Sequence, residues 1–220
     1  LIVHLPDASW IDRWAVDVPP AAHALAAAFW PGPLTLILKR HPDVPDVVTG
    51  GQDTVGLRVP NHPLALQLLR EFAGGVAGPS ANRFGHVSPT TAAHVRAEFG
   101  DAVAMVLDGG PCRVGIESTI LDLSGREPRI LRPGMLDADA IGTIIGRPPA
   151  FGASGGAPRV SGSLEMHYAP RTRLQLVPAA GIEGIARDAL DAGERVAVLA
   201  PAGAAFVHER LVWTPANPDV

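Results

Sequence analysis

The stretch PPAAHALAAAFWPGPLTLILKR constrains the fold more than any other part of the chain. Proline suits a first helical turn, Ala and Leu fill the body, and Pro31-Gly32-Pro33 ends it, so a helix is predicted from about Pro20 to Trp30. Leu34 to Arg40 then reads as a strand. TVGLRVP reads as a second strand with strict alternation. Val55, Leu57 and Val59 point one way, and Thr54, Gly56 and Arg58 the other.

The same reading continues along the chain. PLALQLLREFA is a helix with Leu64, Leu68 and Phe72 along one face. GGVAGPSAN is a short strand that runs into a loop. SPTTAAHVRAEFG is a helix with a Ser or Thr cap and a terminal glycine. AVAMVLDGG is a strand ending in a turn. GIESTILDLSG and PRILRPG are strands joined by Ser124-Gly125-Arg126-Glu127 in a hairpin, and DADAIGTIIG is a capped helix. Strands and helices mix, with some strands adjacent in sequence. The fold class is therefore α/β, a twisted mixed β-sheet flanked by helices.

Composition shifts near Arg147. Residues 147–172 are rich in Pro, Gly and Ser and have no period, as expected of an interdomain linker or a functional loop. RLQLVP, GIEGIARDALDAG and RVAVLA then read as strand, helix, strand, the start of a second, Rossmann-like α/β domain over 173–220. The expected division is 1–146, 147–172 and 173–220. Both ends read as cut, in the apolar LIVHL at the start and in TPANPDV at the finish.

A hydrophobic share of 47% and a charged share of 18% fit a globular core and exclude disorder along the whole length. The net charge of −4 gives no support to a broad nucleic-acid surface or a membrane-binding face. No apolar run reaches the roughly 20 residues of a membrane helix. A single cysteine, Cys112, rules out an internal disulfide and suits a reducing cytoplasm.

The residues with chemical potential are arginines, hydroxyls and one amide. Arg58 lies in an apolar strand, and a half-buried guanidinium needs an anion. That anion is either a nearby acid or a ligand carboxylate or phosphate. GPSAN, residues 78–82, is either an ordinary turn or a phosphate cradle, in which Gly78 permits close approach and Ser80 and Asn82 share a side if the strand end stays extended. Ser88 precedes a helix, where it serves as a cap, an anion contact, or both. Ser118 shares a face with Ile116 and Ile120, as a satisfied core serine or a polar contact. Arg132 repeats the logic of Arg58 at another strand end. The eight histidines show no metal-ligand spacing, the acids form no obvious catalytic pair, Ser118 has no adjacent histidine and no GxSxG elbow around it, and no GxxxxGK[ST] motif occurs. Such a set positions and neutralises anions; it does not suit a covalent hydrolase.

FWPGPLTLIL, VGLRVPNHP, GPSANRFGHVSPT, DGG, GIESTILDLSG, ILRPG and HYAP occur in this order. Over about residues 20–172 they resemble the threonylcarbamoyl-AMP synthases, the YrdC-like family, in its long form. The resemblance implies synthesis of L-threonylcarbamoyladenylate and pyrophosphate from L-threonine, bicarbonate and ATP. The product would pass to a tRNA threonylcarbamoyl transferase complex. It implies Mg²⁺ with ATP and no metal-ligating residues, a cytoplasmic setting, no membrane partner and no stable nucleic-acid partner.

The family's signature is a Lys, Arg, Ser, Asn set, of which Ser80 and Asn82 would be the catalytic Ser and Asn. The Lys and Arg belong before LIVHL, so weak or no activity is expected of these 220 residues alone. Arg58, Gly78 and Ser118 would bind threonine. Thr54, Ser80, Ser88, Arg132, His167 and Tyr168 would bind ATP, with the last two carried over the nucleotide by the linker. Two rivals are a non-catalytic double-stranded RNA-binding module, which the net charge disfavours, and a carbamoyl-transfer domain of a hydrogenase-maturation enzyme, against which HYAP and the following α/β start argue.

Overall fold

The computed structural model describes residues 1–153, 155–162, 170, 172–200 and 212–215. The chain falls into two compact units, Leu1–Pro170 and Arg171–Val220. The first is built on a seven-stranded sheet of β1 (Ile2–His4), β2 (Leu34–Lys39), β3 (Thr54–Arg58), β4 (Val76–Gly78), β5 (Thr119–Asp122), β6 (Arg129–Arg132) and β7 (Ala150–Phe151). Their order is β4-β1-β3-β2-β5-β6-β7. β1–β3, β2–β5 and β6–β7 are parallel, and β1–β4, β2–β3 and β5–β6 antiparallel, so the sheet is mixed as expected.

The period-2 pattern decides which face is dry. Val55, Leu57 and Val59 are buried together with Leu34, Leu36 and Leu38 of β2. The register Leu36↔Leu57 sets these side chains on one face. Helices cover that face: α1 (Ile11–Trp14), α2 (Pro20–Phe29) and α6 (Ala138–Ile145) add Ile11, Ala22, Leu25, Ala26 and Ile141 to the same buried cluster. Each fully buried leucine or isoleucine stabilises the fold by about 1.5–3 kcal/mol relative to exposure. Thr35, Gly56 and Arg58 fall on the opposite face.

Caps set the helix ends. Pro20 occupies the first turn of α2, and Asp137 caps α6 by accepting from the Ala140 amide at 2.7 Å. The Pro31-Gly32-Pro33 stop has a tertiary role too. Gly32 donates its amide to the Val59 carbonyl at 2.9 Å, which docks the loop on the end of β3. A Cβ on Gly32 would overlap the Phe29 carbonyl oxygen, so only glycine fits.

Several local expectations are corrected. The helix α4 (Pro63–Phe72) forms, but Leu69 is its buried residue and Leu66 packs on the core, while Leu68 and Phe72 are exposed. The helix carries two apolar stripes, and packing against the sheet selects the one that propensity does not mark. AVAMVLDGG is not a strand: Met105 and Leu107 are exposed, and among the described residues no neighbouring strand pairs with them. The expected Ser or Thr cap of the helix α5 (Ala92–Phe99) is Thr91, whose hydroxyl accepts from the His94 amide at 3.2 Å, so the reading of Ser88 as that cap is the part corrected. The Pro/Gly-rich stretch beginning at Arg147 contributes the edge strand β7.

The second unit contains the helix α7 (Ile182–Asp191), β8 (Ala197–Ala200) and β9 (Val212–Pro215). RLQLVP, expected as a strand, forms no strand, and Leu174 and Leu176 are 80% and 99% exposed. The strand partner of β8 is β9, in parallel register. Among the described residues no helix is long and apolar enough to cross a membrane.

Candidate functional site

The uncovered face of the sheet, where β3, β2, β5 and β6 lie side by side, collects the polar side chains. Arg58 closes β3. Its Nε donates to the Gly32 carbonyl at 3.0 Å, so the helix-stopping loop also aims the guanidinium. Among the described residues its two terminal nitrogens make no hydrogen bond or ion pair. Burial lowers its pKa from the usual arginine value; the Glu117 carboxylate opposes that shift and the Arg132 guanidinium adds to it. These three charges therefore share one local field.

Arg132, at the end of β6, is almost fully buried. Its Nε and Nη2 donate to the Ser118 carbonyl at 3.1 and 2.9 Å, and Nη2 also to the Ser118 hydroxyl at 3.1 Å. That hydroxyl also meets Thr35 Oγ1 at 2.8 Å. Ser118 is thus a satisfied residue that ties β2, β5 and β6 together beneath the cleft. It precedes β5 rather than lying within it, and Ile116, expected on its face, is exposed.

The GPSAN loop bends at Ala81–Asn82, which removes the extended geometry that would set Ser80 and Asn82 on one side. Ser80 is exposed and makes no side-chain hydrogen bond among the described residues. Asn82 is half-buried, and its amide nitrogen donates to the carbonyls of Arg83 and His86 at 3.0 and 3.1 Å. Its oxygen then faces Ser88, whose Oγ lies 3.5 Å from it and donates to Glu117 Oε1 at 2.5 Å. The loop is anchored from behind, where Glu98 accepts from the Arg83 amide and meets His86 Nδ1 at 2.6 Å.

Gly78 stands at the end of β4 against His4. A Cβ there would lie 3.1 Å from His4 Nδ1, so the absence of a side chain leaves room for the imidazole beside the strand. His4 pairs with Arg58 in the β1–β3 register. Burial, then the Arg58 charge, lowers its pKa from 6.5 to about 4, so the ring is neutral at physiological pH.

Thr54 lines a narrow cleft on the same face with Gln52, Ile120 and residues 158–161. Those last residues belong to the stretch expected as a linker. Gln52 pairs with the Arg159 backbone, and Arg132 Nη1 donates to the Ser161 carbonyl at 3.2 Å. His167 and Tyr168 lie outside the described residues.

Contacts link Asn82, Ser88, Glu117, Arg132 and Ser118 in one chain, Arg58 shares the field of Glu117 and Arg132, Thr54 lines the cleft beside residues 158–161, and Gly78 lies against His4. Ser80 is the member left without a contact. Sequence reasoning passed over Glu117, His4, Thr35 and Gln52. A signal for Glu117 exists in the sequence: it is a lone carboxylate next to Ser118 inside GIESTI. Among the described residues no three His, Cys, Asp or Glu side chains gather as a metal centre. Arg58, Arg132 and Glu117 together carry a net positive charge.

Residues 1–134 match the Sua5/YciO/YrdC family, described as "Telomere recombination". A threonylcarbamoyl-AMP synthase of Pyrococcus abyssi is 40% identical over 181 residues, covering 80% of this chain and 53% of that protein. One from Bacillus subtilis is 38% identical over 205 residues, covering 90% and 59%. The chain thus spans between half and three-fifths of the length of these relatives. The crystal structure of P. abyssi Sua5 complexed with L-threonine superposes with a TM-score of 0.88 at 33% identity, over 100% of this chain and 67% of that one. With the match running over more than half of its length, the chain belongs to the Sua5/YciO/YrdC family.

Proposed function

We propose that this chain carries the substrate hollow of an L-threonylcarbamoyladenylate synthase, a nucleotidyltransferase that joins L-threonine, bicarbonate and ATP. The observation that carries the reading is the half-buried Arg58 guanidinium: oriented through Nε, with no ion pair at its terminal nitrogens among the described residues, and in the shared field of Glu117 and Arg132. The relatives named as threonylcarbamoyl-AMP synthases and the threonine-bound neighbour support the choice of substrates.

In this reading Arg58 takes the threonine carboxylate as a planar fork. Neutral His4 beside it adds no charge that would repel the substrate's ammonium. Arg132, held rigid by Ser118, faces the nucleotide phosphates with Ser88 and the GPSAN loop, including Ser80 and Asn82. The threonine amine condenses with bicarbonate, releasing water and giving an N-carboxylate. That carboxylate oxygen attacks the α-phosphorus in line, the bond to the β-phosphate oxygen breaks, and pyrophosphate leaves. The chain contributes position and charge rather than a covalent intermediate. Mg²⁺ accompanying ATP spreads the triphosphate charge.

In this reading residues 1–146 are the catalytic domain, 147–172 the interdomain linker and 173–220 the start of a further domain. The product serves a tRNA-modifying transferase in the cytoplasm, consistent with one free cysteine.

The test is pyrophosphate release by the full-length protein with all three substrates, with the adenylate identified by mass. Release that depends on threonine and bicarbonate supports the proposal. Salt-sensitive RNA binding without pyrophosphate release overturns it in favour of an RNA-binding module.

A further inference from the structure

An acid inside an anion-binding hollow needs a physical reason, because a carboxylate repels the phosphates the hollow is built to hold. Glu117 is such an acid. It is a counter-ion to Arg132 and Arg58, but not at close range. Arg132 sends Nε and Nη2 to the Ser118 carbonyl and Nη1 to the Ser161 carbonyl, and its nearest approach to Glu117 is 3.8 Å. The close contact of Glu117 is instead with Ser88 Oγ, at 2.5 Å.

Ser88 Oγ also lies 3.5 Å from Asn82 Oδ1. The Asn82 amide cannot turn this oxygen away without losing both bonds of its nitrogen, to the carbonyls of Arg83 and His86. Ser88 Oγ therefore has two hard oxygens as neighbours, the Glu117 carboxylate at 2.5 Å and the Asn82 amide oxygen at 3.5 Å. Glu117 comes from the approach to β5, and Ser88 and Asn82 from the loop after β4.

We infer that Asn82 Oδ1, Ser88 Oγ and Glu117 Oε1 form the protein's share of the Mg²⁺ site for the nucleotide; the inference rests on the proposed ATP-dependent activity. Mg²⁺ prefers one or two carboxylates, substrate phosphates and water to an all-protein cage, and three oxygens leave room for both. A serine hydroxyl that ligates the ion through a lone pair keeps its proton for the carboxylate beside it, as the Ser88–Glu117 contact already does. The placement resolves the charge conflict: with a dication between them, the carboxylate and the phosphates attract. It also explains why one hollow holds two arginines and an acid.

The test is binding of α,β-methylene-ATP, whose α–β link cannot be broken, to the full-length protein by calorimetry, with saturating Mg²⁺ and with EDTA. The wild type should bind more tightly with Mg²⁺. Glu117→Gln, which keeps the shape, should lose most of that gain, on the order of tenfold, while its affinity in EDTA stays equal or improves. Ser88→Cys should lose the Mg²⁺ gain and recover it with Cd²⁺, since a thiolate prefers the softer ion. Free Mn²⁺, followed by electron paramagnetic resonance, should bind the analogue complex of the wild type more tightly than that of Glu117→Gln.

An unchanged Mg²⁺ gain in Glu117→Gln, together with no Cd²⁺ rescue, overturns this assignment and leaves the parent reading standing. Failure of the wild type to bind the analogue with or without metal overturns both.

Discussion

The Gln52 side chain clasps the backbone of Arg159, a residue 107 positions later. Its Oε1 accepts from the Arg159 amide at 2.6 Å and its Nε2 donates to the Arg159 carbonyl at 3.1 Å. One side-chain amide thus stands in for a strand partner and holds residues 158–161 over the face that carries Thr54 and Arg132. Each bond contributes about 0.5–1.5 kcal/mol net. Gln52→Ala should release the segment while the rest of the unit stays folded. Hydrogen exchange at the Arg159 amide should speed up about tenfold, the equivalent of about 1.4 kcal/mol. An unchanged exchange rate would show that other contacts hold the segment.

Arg58→Ala should weaken threonine binding by about 1.5–3 kcal/mol, the worth of a hydrogen bond to a charged group, and ATP binding by less. Arg58→Lys should recover only part, because a point charge cannot replace the fork. Calorimetry with each substrate separately checks the ranking. A larger loss for ATP would reverse the roles given to Arg58 and Arg132.

Ser118→Ala leaves Thr35 Oγ1 and one Arg132 donor contact without their hydroxyl partner in a buried setting. The expected cost is about 1–3 kcal/mol in urea unfolding. Adding Thr35→Val removes the stranded hydroxyl, so the double variant should lose less than the two single losses combined. Strict additivity would mean that the two hydroxyls do not depend on each other.

His4 makes the fold sensitive to acid. Its folded pKa is lowered from 6.5 to about 4, so between these values the unfolded chain holds a proton that the folded chain does not. Stability from this group is full above pH 6.5, falls as the pH drops towards 4, and levels off below. His4→Gln cannot titrate, so the difference in unfolding free energy between wild type and variant should shift across that window. A difference that is flat from pH 7 to pH 4 would mean that the ring is not held neutral.

Elements with strong local signals were legible. Pro20 and the Pro31-Gly32-Pro33 stop bound α2, alternation in TVGLRVP assigned the dry face of β3, and Asp137 and Gly146 marked the ends of α6. AVAMVLDGG and RLQLVP misled because β-rich composition states that a strand would be tolerated, not that a neighbour exists to pair with it. Ser88 read as a cap because it precedes a helix, while Thr91, three residues nearer, is the residue placed to accept the amide of His94.

Sequence alone determined the alternation of helix and strand, the inward face of the central strands, and the identity of the arginines and hydroxyls available for an anion. Those properties depend on neighbours a few residues apart, where steric and hydrophobic periods act. Only the tertiary structure decided that Glu117, Ser88 and Asn82 meet, that Arg132 is committed to Ser118 while the end of Arg58 stays open, and that Gln52 holds Arg159. Such contacts join segments up to 107 residues apart, and they exist only once the sheet order has brought the strand ends together.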